Sequence, residues 1–287
     1  MEILVAKTAG FCFGVKRALE LVREALRNGE TPLYSLGPLI HNPRVVMELS
    51  AKGVQEISDI DEIPAQAAGK AIIRSHGAGP GTYRIADAKN IGIIDATCPF
   101  VKNVQQLGAF LAGQGYQVIV FGERDHAEVK GVLESIVAVP AASPALVISD
   151  SGEVDTQQLA AKVGIISQTT QENSNFSRLV ASIVPHVKEI RVFNTICSAT
   201  AERQRETAEL SRKVDVIIVV GGKNSANTSR LAEIGRKNGA KTYQVESASE
   251  INPDWFQGIK KVGITAGAST PDEQIDEIVQ KINYLGG

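Results

Sequence analysis

Cysteine is scarce in this chain: three residues in 287, at positions 12, 98 and 197. An odd number cannot pair fully, and a reducing compartment would keep all three as thiols. No two form a CxxC, which excludes a local zinc knuckle or a thioredoxin-type motif. A basic excess is also missing, since the formal charge is −2, and this argues against a nucleic-acid partner. No apolar run reaches the roughly 18 residues that signal a membrane span. The opening stretch MEILVAKTAGFCFG has no basic region ahead of its apolar residues, unlike a secretory signal. The expectation is a cytoplasmic protein with neither nucleic acid nor membrane as partner. Hydrophobic residues at 43% and charged residues at 22% describe a folded chain and exclude a disordered or collagen-like one. Length alone suggests about two domains and is equally compatible with three small ones.

The spacing of the scarce residues decides for three. The cysteines lie 86 and 99 residues apart, one in each third of the chain. Each follows a short β-branched run, namely residues 3–7 (ILVAK), 91–95 (IGIID) and 190–194 (IRVFN), which read as buried strands. Each also precedes a helical pattern. After Cys12 the apolar residues Val15, Ala18, Leu19, Val22, Ala25 and Leu26 share one face, and Asn28-Gly29 ends the run. After Cys98, Pro99 suits a first helical position. After Cys197, residues 200–213 are rich in helix formers, with a thinner apolar stripe.

Second strands follow at 33–36, 117–121 and 216–220, and their loops place His41, His126 and Ser225 29, 28 and 28 residues after the respective cysteines. Third strands follow at 70–75, 162–167 and 261–266, and their loops place His76, Thr169 and Ser269 in positions equivalent to within a few residues. Repeated strand–loop–helix units predict an α/β fold: three similar small domains with mainly parallel sheets. The expected arrangement is a pseudo-threefold trefoil around a central cavity. Ligands bind beyond the carboxyl ends of such strands, where the rare Cys, His, Ser, Thr and Asn residues collect.

Three thiolates could hold zinc, although a closed structural zinc site needs a fourth ligand. They could equally hold a [4Fe–4S] cluster with one iron left open. The plain alternative for any one cysteine is a small buried hydrophobe. His41, His76, His126, Ser225, Asn227 and Ser269 supply hydrogen-bond donors with little fixed charge, which suits a phosphate or diphosphate beside helix N-termini. The same Ser and Asn types also cap helices, and one residue can do both. Glu128, two residues after His126, is a candidate proton donor whose pKa burial would raise. Thr169 and Thr170 are placed to orient a substrate hydroxyl or a water. His186, in VPHVKE on a helix, reads as an ordinary surface or core residue.

The segments AGFCFGVKRA, GPLIHNP, RSHGAGP, DATCPFV, GERDHAEVKG, SQTT, NTICSAT, KNSANTSRL and TAGASTP resemble the 4-hydroxy-3-methylbut-2-enyl diphosphate reductase family across nearly the whole chain. The resemblance implies an oxidoreductase of the methylerythritol phosphate route to isoprenoids. It would remove the C4 hydroxyl of an allylic diphosphate with two electrons and two protons, giving isopentenyl and dimethylallyl diphosphate. It implies a [4Fe–4S] cluster held by Cys12, Cys98 and Cys197, whose fourth iron takes the substrate hydroxyl. Glu128 would be the proton donor, with Thr169 and His126 completing the relay. His41, His76, His126, Thr169, Ser225, Asn227 and Ser269 would bind substrate. The external electron donor would be a ferredoxin or flavodoxin. The implied domains are 14–97, 98–194, and 195–287 with 1–13, so that the first strand joins the third domain's sheet. One departure is Ala226, where the family commonly carries a second Ser. Competing readings are another open-iron enzyme such as quinolinate synthase, and a non-catalytic iron–sulfur sensor or electron carrier.

Overall fold

The structure is a computed structural model and describes residues 1–64, 69–150, 152 and 154–286. Its β-strands form three four-stranded sheets, and every pairing in them is parallel. One sheet contains β2 (Leu33–Leu36), β3 (Val54–Ile57), β4 (Lys70–Ile73) and β5 (Gly92–Asp95), in the order β3-β2-β4-β5. The next contains β6 (Gln117–Phe121), β7 (Leu146–Ile148), β8 (Lys162–Ser167) and β9 (Glu189–Val192), in the order β7-β6-β8-β9. The third contains β10 (Val216–Val220), β11 (Lys241–Val245), β12 (Lys261–Ala266) and β1 (Glu2–Val5), in the order β11-β10-β12-β1. β1 therefore holds in this sheet the edge place that β5 and β9 hold in theirs.

The helices are α1 (Phe13–Arg27), α2 (Pro43–Ala51), α3 (Pro80–Ala88), α4 (Pro99–Gly113), α5 (Ala127–Val137), α6 (Asn173–Ile183), α7 (Ser198–Ser211), α8 (Ala226–Lys237) and α9 (Asp272–Gly286). They cover the sheets by the alternation of strand side chains. In β10, Val216, Ile218 and Val220 face Ile275, Ile278 and Ile282 of α9, whereas Val219 packs with Leu231 and Ala232 of α8. In β6, Val118 and Val120 pack with α4 and α5, and Ile119 and Phe121 pack with Phe176, Leu179 and Ile183 of α6. Gly164 and Gly263 sit mid-strand at matching places. A Cβ there would lie 2.8 Å from Leu111 and 3.0 Å from Leu210, so the missing side chain lets α4 and α7 lie close to their sheets.

By contacts the chain divides into two compact units: Met1–Val15 with His41–Val45 and Ser198–Gly287, and Lys16–Ile40 with Val46–Cys197. The first holds the β1-containing sheet and the second holds the other two. His41–Val45 is tied within the first unit by Asn42 Nδ2 to Gln274 Oε1 (2.9 Å) and Arg44 to Glu277 (2.7 Å). Among the described residues no helix is long and apolar enough to cross a membrane.

The sequence-derived strands at 33–36, 117–121, 216–220, 162–167 and 261–266 have the observed limits. The runs at 3–7 and 190–194 become 2–5 and 189–192, ending two residues early where the chain leaves the ladder toward Cys12 and Cys197, and the run at 91–95 loses only its first residue. The helix expected at 200–213 spans 198–211. Its thin apolar stripe has a reason: the inward face buries Thr200, Arg203, Gln204, Thr207 and Ser211. His186 lies exposed in a single 3-10 turn, Val184–His186, rather than on an α-helix, because Pro185 lacks the amide that α-helical bonding needs.

Candidate active site

The three cysteine loops share one fastening. The backbone N–H of each cysteine donates to a carbonyl in the loop after the third strand: Cys12 to Ala268 (3.1 Å), Cys98 to Ser75 (3.0 Å) and Cys197 to Thr169 (3.0 Å). This bond sharpens the repeat register. The residues matched by structure are Ser75, Thr169 and Ala268, so Thr169 lies one place before the counterparts of His76 and Ser269. All three cysteines are reduced and partly exposed. Cys98 is the N-cap residue of α4, with Pro99 in the first turn as expected.

The loops after the second strands share another bond. Gly37, Gly122 and Gly221 donate N–H to Ile57, Ile148 and Val245, at 2.9 Å or less. Four residues beyond each glycine come His41, His126 and Ser225, which makes their equivalence a property of the backbone. Gly221 has φ +142°, a conformation that side chains disfavour.

His126 and Ser225 then do the same local job. His126 Nδ1 accepts from Glu128 N (3.2 Å) at the start of α5, and Ser225 Oγ accepts from Thr228 N (3.4 Å) at the start of α8. Accepting at Nδ1 leaves the proton of a neutral His126 on Nε2. The His76 and His126 rings meet edge to face, 5.3 Å between centroids. Ser269 Oγ donates to the His41 carbonyl (3.1 Å).

Two residues past each cap is a buried polar side chain. Glu128 is 1% exposed; Thr169 donates to it from both N–H (to Oε1, 2.7 Å) and hydroxyl (to Oε2, 2.8 Å). Burial pushes the Glu128 carboxyl up to about 7, the Thr169 bonds pull it the other way, and Glu123 adds a small upward push. Asn227 is 6% exposed, and among the described residues neither its amide nitrogen nor its oxygen has a partner. The structural counterpart of Thr169 there is Ala268, which has no hydroxyl, and the Ser269 hydroxyl is directed to His41. A buried amide left in this state costs about 1–3 kcal/mol unless water or a ligand bonds it.

Within one unit, then, lie Glu128, Thr169, His126, His76, Cys98 and Cys197; within the other lie His41, Ser225, Asn227, Ser269 and Cys12. Gln171, to which the sequence assigned no role, is buried and reaches Gln168 Oε1 (3.5 Å), supporting the Thr169 loop from behind. The sequence reading missed Arg17 and Arg203, whose guanidinium groups hold the Cys98 and Cys12 loops. The only advance signal was an arginine on the thin-striped inner face of α7.

Parallel α/β sheets whose strand-end loops carry thiols, a buried carboxyl of raised pKa and a buried amide have the construction of an α/β enzyme. Residues 3–283 match the family described as LytB protein. The chain is 46% identical over 286 residues to the 4-hydroxy-3-methylbut-2-enyl diphosphate reductase of Geobacter metallireducens, covering 99% of this chain and 98% of that one. It is 45% identical over 283 residues to the enzyme of the same name from Geobacter sulfurreducens, covering 98% and 97%. A solved structure of (E)-4-hydroxy-3-methyl-but-2-enyl diphosphate reductase, the terminal enzyme of the non-mevalonate pathway, superposes with TM-score 0.72 at 41% identity, covering 99% and 100%. That of the Plasmodium falciparum E-1-hydroxy-2-methyl-but-2-enyl-4-diphosphate reductase superposes with TM-score 0.88 at 26% identity, covering 100% and 88%. The chain belongs to the LytB family and is an oxidoreductase.

Proposed function

We propose that the chain reduces (E)-4-hydroxy-3-methylbut-2-enyl diphosphate to isopentenyl and dimethylallyl diphosphate. The observation that carries this reading is Glu128, a fully buried carboxyl raised to about 7 and joined to Thr169. A carboxyl with that pKa is protonated often enough near neutral pH to donate and basic enough to be recharged. The overall change is substrate plus two electrons and two protons, giving product and water: the C4–O bond breaks, one proton leaves with the oxygen, and one is added to carbon.

Cys12, Cys98 and Cys197 would hold a [4Fe–4S] cluster. The residues fit: all three are reduced and partly exposed on loops of one construction. When bound, the cluster supplies the electrons and, with three thiolates for four irons, one iron that acts as a Lewis acid. When protonated, Glu128 donates to Thr169 Oγ1, which passes its own proton to the leaving hydroxyl and so turns it into water. His126, whose Nδ1 accepts from Glu128 N, offers Nε2–H to the substrate. The Asn227 amide, with the Ser225 and Ser269 hydroxyls, His41 and His76, binds the diphosphate; Ser225 and the first amides of α8 supply a helix N-terminus suited to an anion. Ala226 contributes its backbone N–H but no hydroxyl. A ferredoxin or flavodoxin would deliver the electrons. The domain limits 14–97, 98–194, and 195–287 with 1–13 belong to this proposal, supported by the confinement of each sheet's strands to one segment.

Anaerobic purification with iron and sulfide quantitation, followed by reductive turnover of the hydroxylated allylic diphosphate, tests the reading. About four irons per chain and formation of both products are expected. A chain that binds no iron, or one that binds it and leaves the substrate intact, contradicts it. The Cys98→Ser variant is expected to lose both cluster and turnover.

A further inference from the structure

Two arginines outside the reading above grip the loops that carry two of the three cysteines. Arg203, on α7, is only 4% exposed; its Nε and Nη2 donate to the Thr8 carbonyl (2.9 and 2.6 Å), and Nη2 also donates to the Gly10 carbonyl (2.8 Å). Gly10 lies two residues before Cys12. Arg17, on α1 and half-buried, donates Nη1 to the Thr97 carbonyl (3.1 Å) and Nη2 to the Asp95 carbonyl (3.5 Å). Thr97 immediately precedes Cys98. The Cys197 loop is fastened by neutral groups instead. Thr195 Oγ1 donates to the Ser167 carbonyl (2.5 Å) and accepts from Ser167 N (2.7 Å), and Asn194 Oδ1 accepts from Ile196 N (3.2 Å).

A threonine–serine pair shows that a cysteine loop on this scaffold can be held without charge. A guanidinium holds the loop too, but adds a positive charge that it does not lose at any ordinary pH. Carboxylates also touch these segments. Glu206 accepts from the Lys7 and Thr8 amides (2.6 and 2.8 Å) but is more exposed than Arg203, and Asp95 is matched by Lys102 (2.9 Å). Water screens the exposed groups, so the buried Arg203 charge acts over a longer range. We propose that Arg203 and Arg17 are positioning residues for the iron–sulfur cluster, shaping the Cys12 and Cys98 loops and placing fixed positive charge on them so that the added electron is favoured. The proposal rests on the three-cysteine cluster reading.

The test is a redox titration of the anaerobically loaded full chain, followed by electron paramagnetic resonance, together with the rate of iron extraction by a chelator. In Arg203→Gln the reduction equilibrium should move about tenfold toward the oxidised state, which is about 59 mV for a one-electron couple, and iron should leave faster. Arg203→Lys keeps the charge without the fork and should recover most of the potential. A potential and an extraction rate in Arg203→Gln equal to wild type overturn the proposal; a Lys variant shifted as far as the Gln variant overturns its charge component. If Arg203→Gln does not fold, Arg17→Gln carries the same expectation and the same overturning result, because that side chain is only half-buried. A wild-type chain without iron defeats the cluster reading itself. A loaded wild type with unchanged variants defeats only the arginine assignment.

Discussion

The loops after β6 and β10 share one construction and carry two different buried groups. Each begins with a glycine bonded across to the neighbouring strand, places a helix-capping side chain four residues later, and buries a polar side chain two residues beyond the cap. In the first loop that side chain is Glu128, bonded twice to Thr169. In the second it is Asn227, whose amide atoms find no partner among the described residues. The residue that matches Thr169 in the third repeat is Ala268, which has no hydroxyl. On the proposed function, the first buried group serves proton transfer and the second serves anion binding.

The largest effect should come from removing the proton at the first loop. Glu128→Gln keeps the shape and one Thr169 bond, and turnover should fall about 10²–10⁴-fold, measured as product formation with a chemical reductant. The same carboxyl sets a pH dependence. Its folded pKa lies above its ordinary value of 4.5, at about 7, so between these values the folded chain binds more protons than the unfolded chain. Stability from this group is therefore present below about 4.5 and is lost as pH rises through 7, by at most about 3 kcal/mol. Urea unfolding of the Gln variant and wild type should diverge over that window, with the variant the more stable above it. Parallel curves would place the titration elsewhere.

At the second loop, Asn227→Leu removes an unsatisfied amide at similar volume. The ligand-free chain should gain about 1 kcal/mol in thermal or urea unfolding, while substrate binding weakens about 10–100-fold. A destabilised variant with unchanged affinity would show that Asn227 is a structural residue. The smallest effect should be Ala226→Ser, which supplies a hydroxyl beside the same anion. Substrate affinity should rise by no more than about tenfold, read by calorimetry without reductant.

Much of this comparison was legible in the sequence because it rests on local features. Short apolar runs marked nine of the twelve strands to within a few residues, and the spacing from each cysteine made His41, His126 and Ser225 equivalent, as their shared glycine bond does. The edge strands β3, β7 and β11 escaped notice: VQEI, LVI and KTYQV are short or polar and carry no clear alternation. The third-strand loops were aligned one residue off at Thr169, since the correct register is set by a backbone bond to a cysteine far along the chain. Glu128 was recognisable as a candidate from its nearness to His126, but its Thr169 partner is 41 residues away. The grip of Arg203 on Thr8 spans 195 residues. Such pairings follow from packing and leave no periodic trace.

The most direct test of the divided scaffold is one pair of measurements on two variants: substrate affinity of the oxidised, loaded chain by calorimetry, and turnover at saturating substrate. Glu128→Gln should bind as tightly as wild type and turn over slowly, whereas Asn227→Leu should bind weakly and, once saturated, turn over at close to the wild-type rate. Loss of affinity in the Glu128 variant with turnover intact, or loss of saturated turnover in the Asn227 variant with affinity intact, would contradict the account.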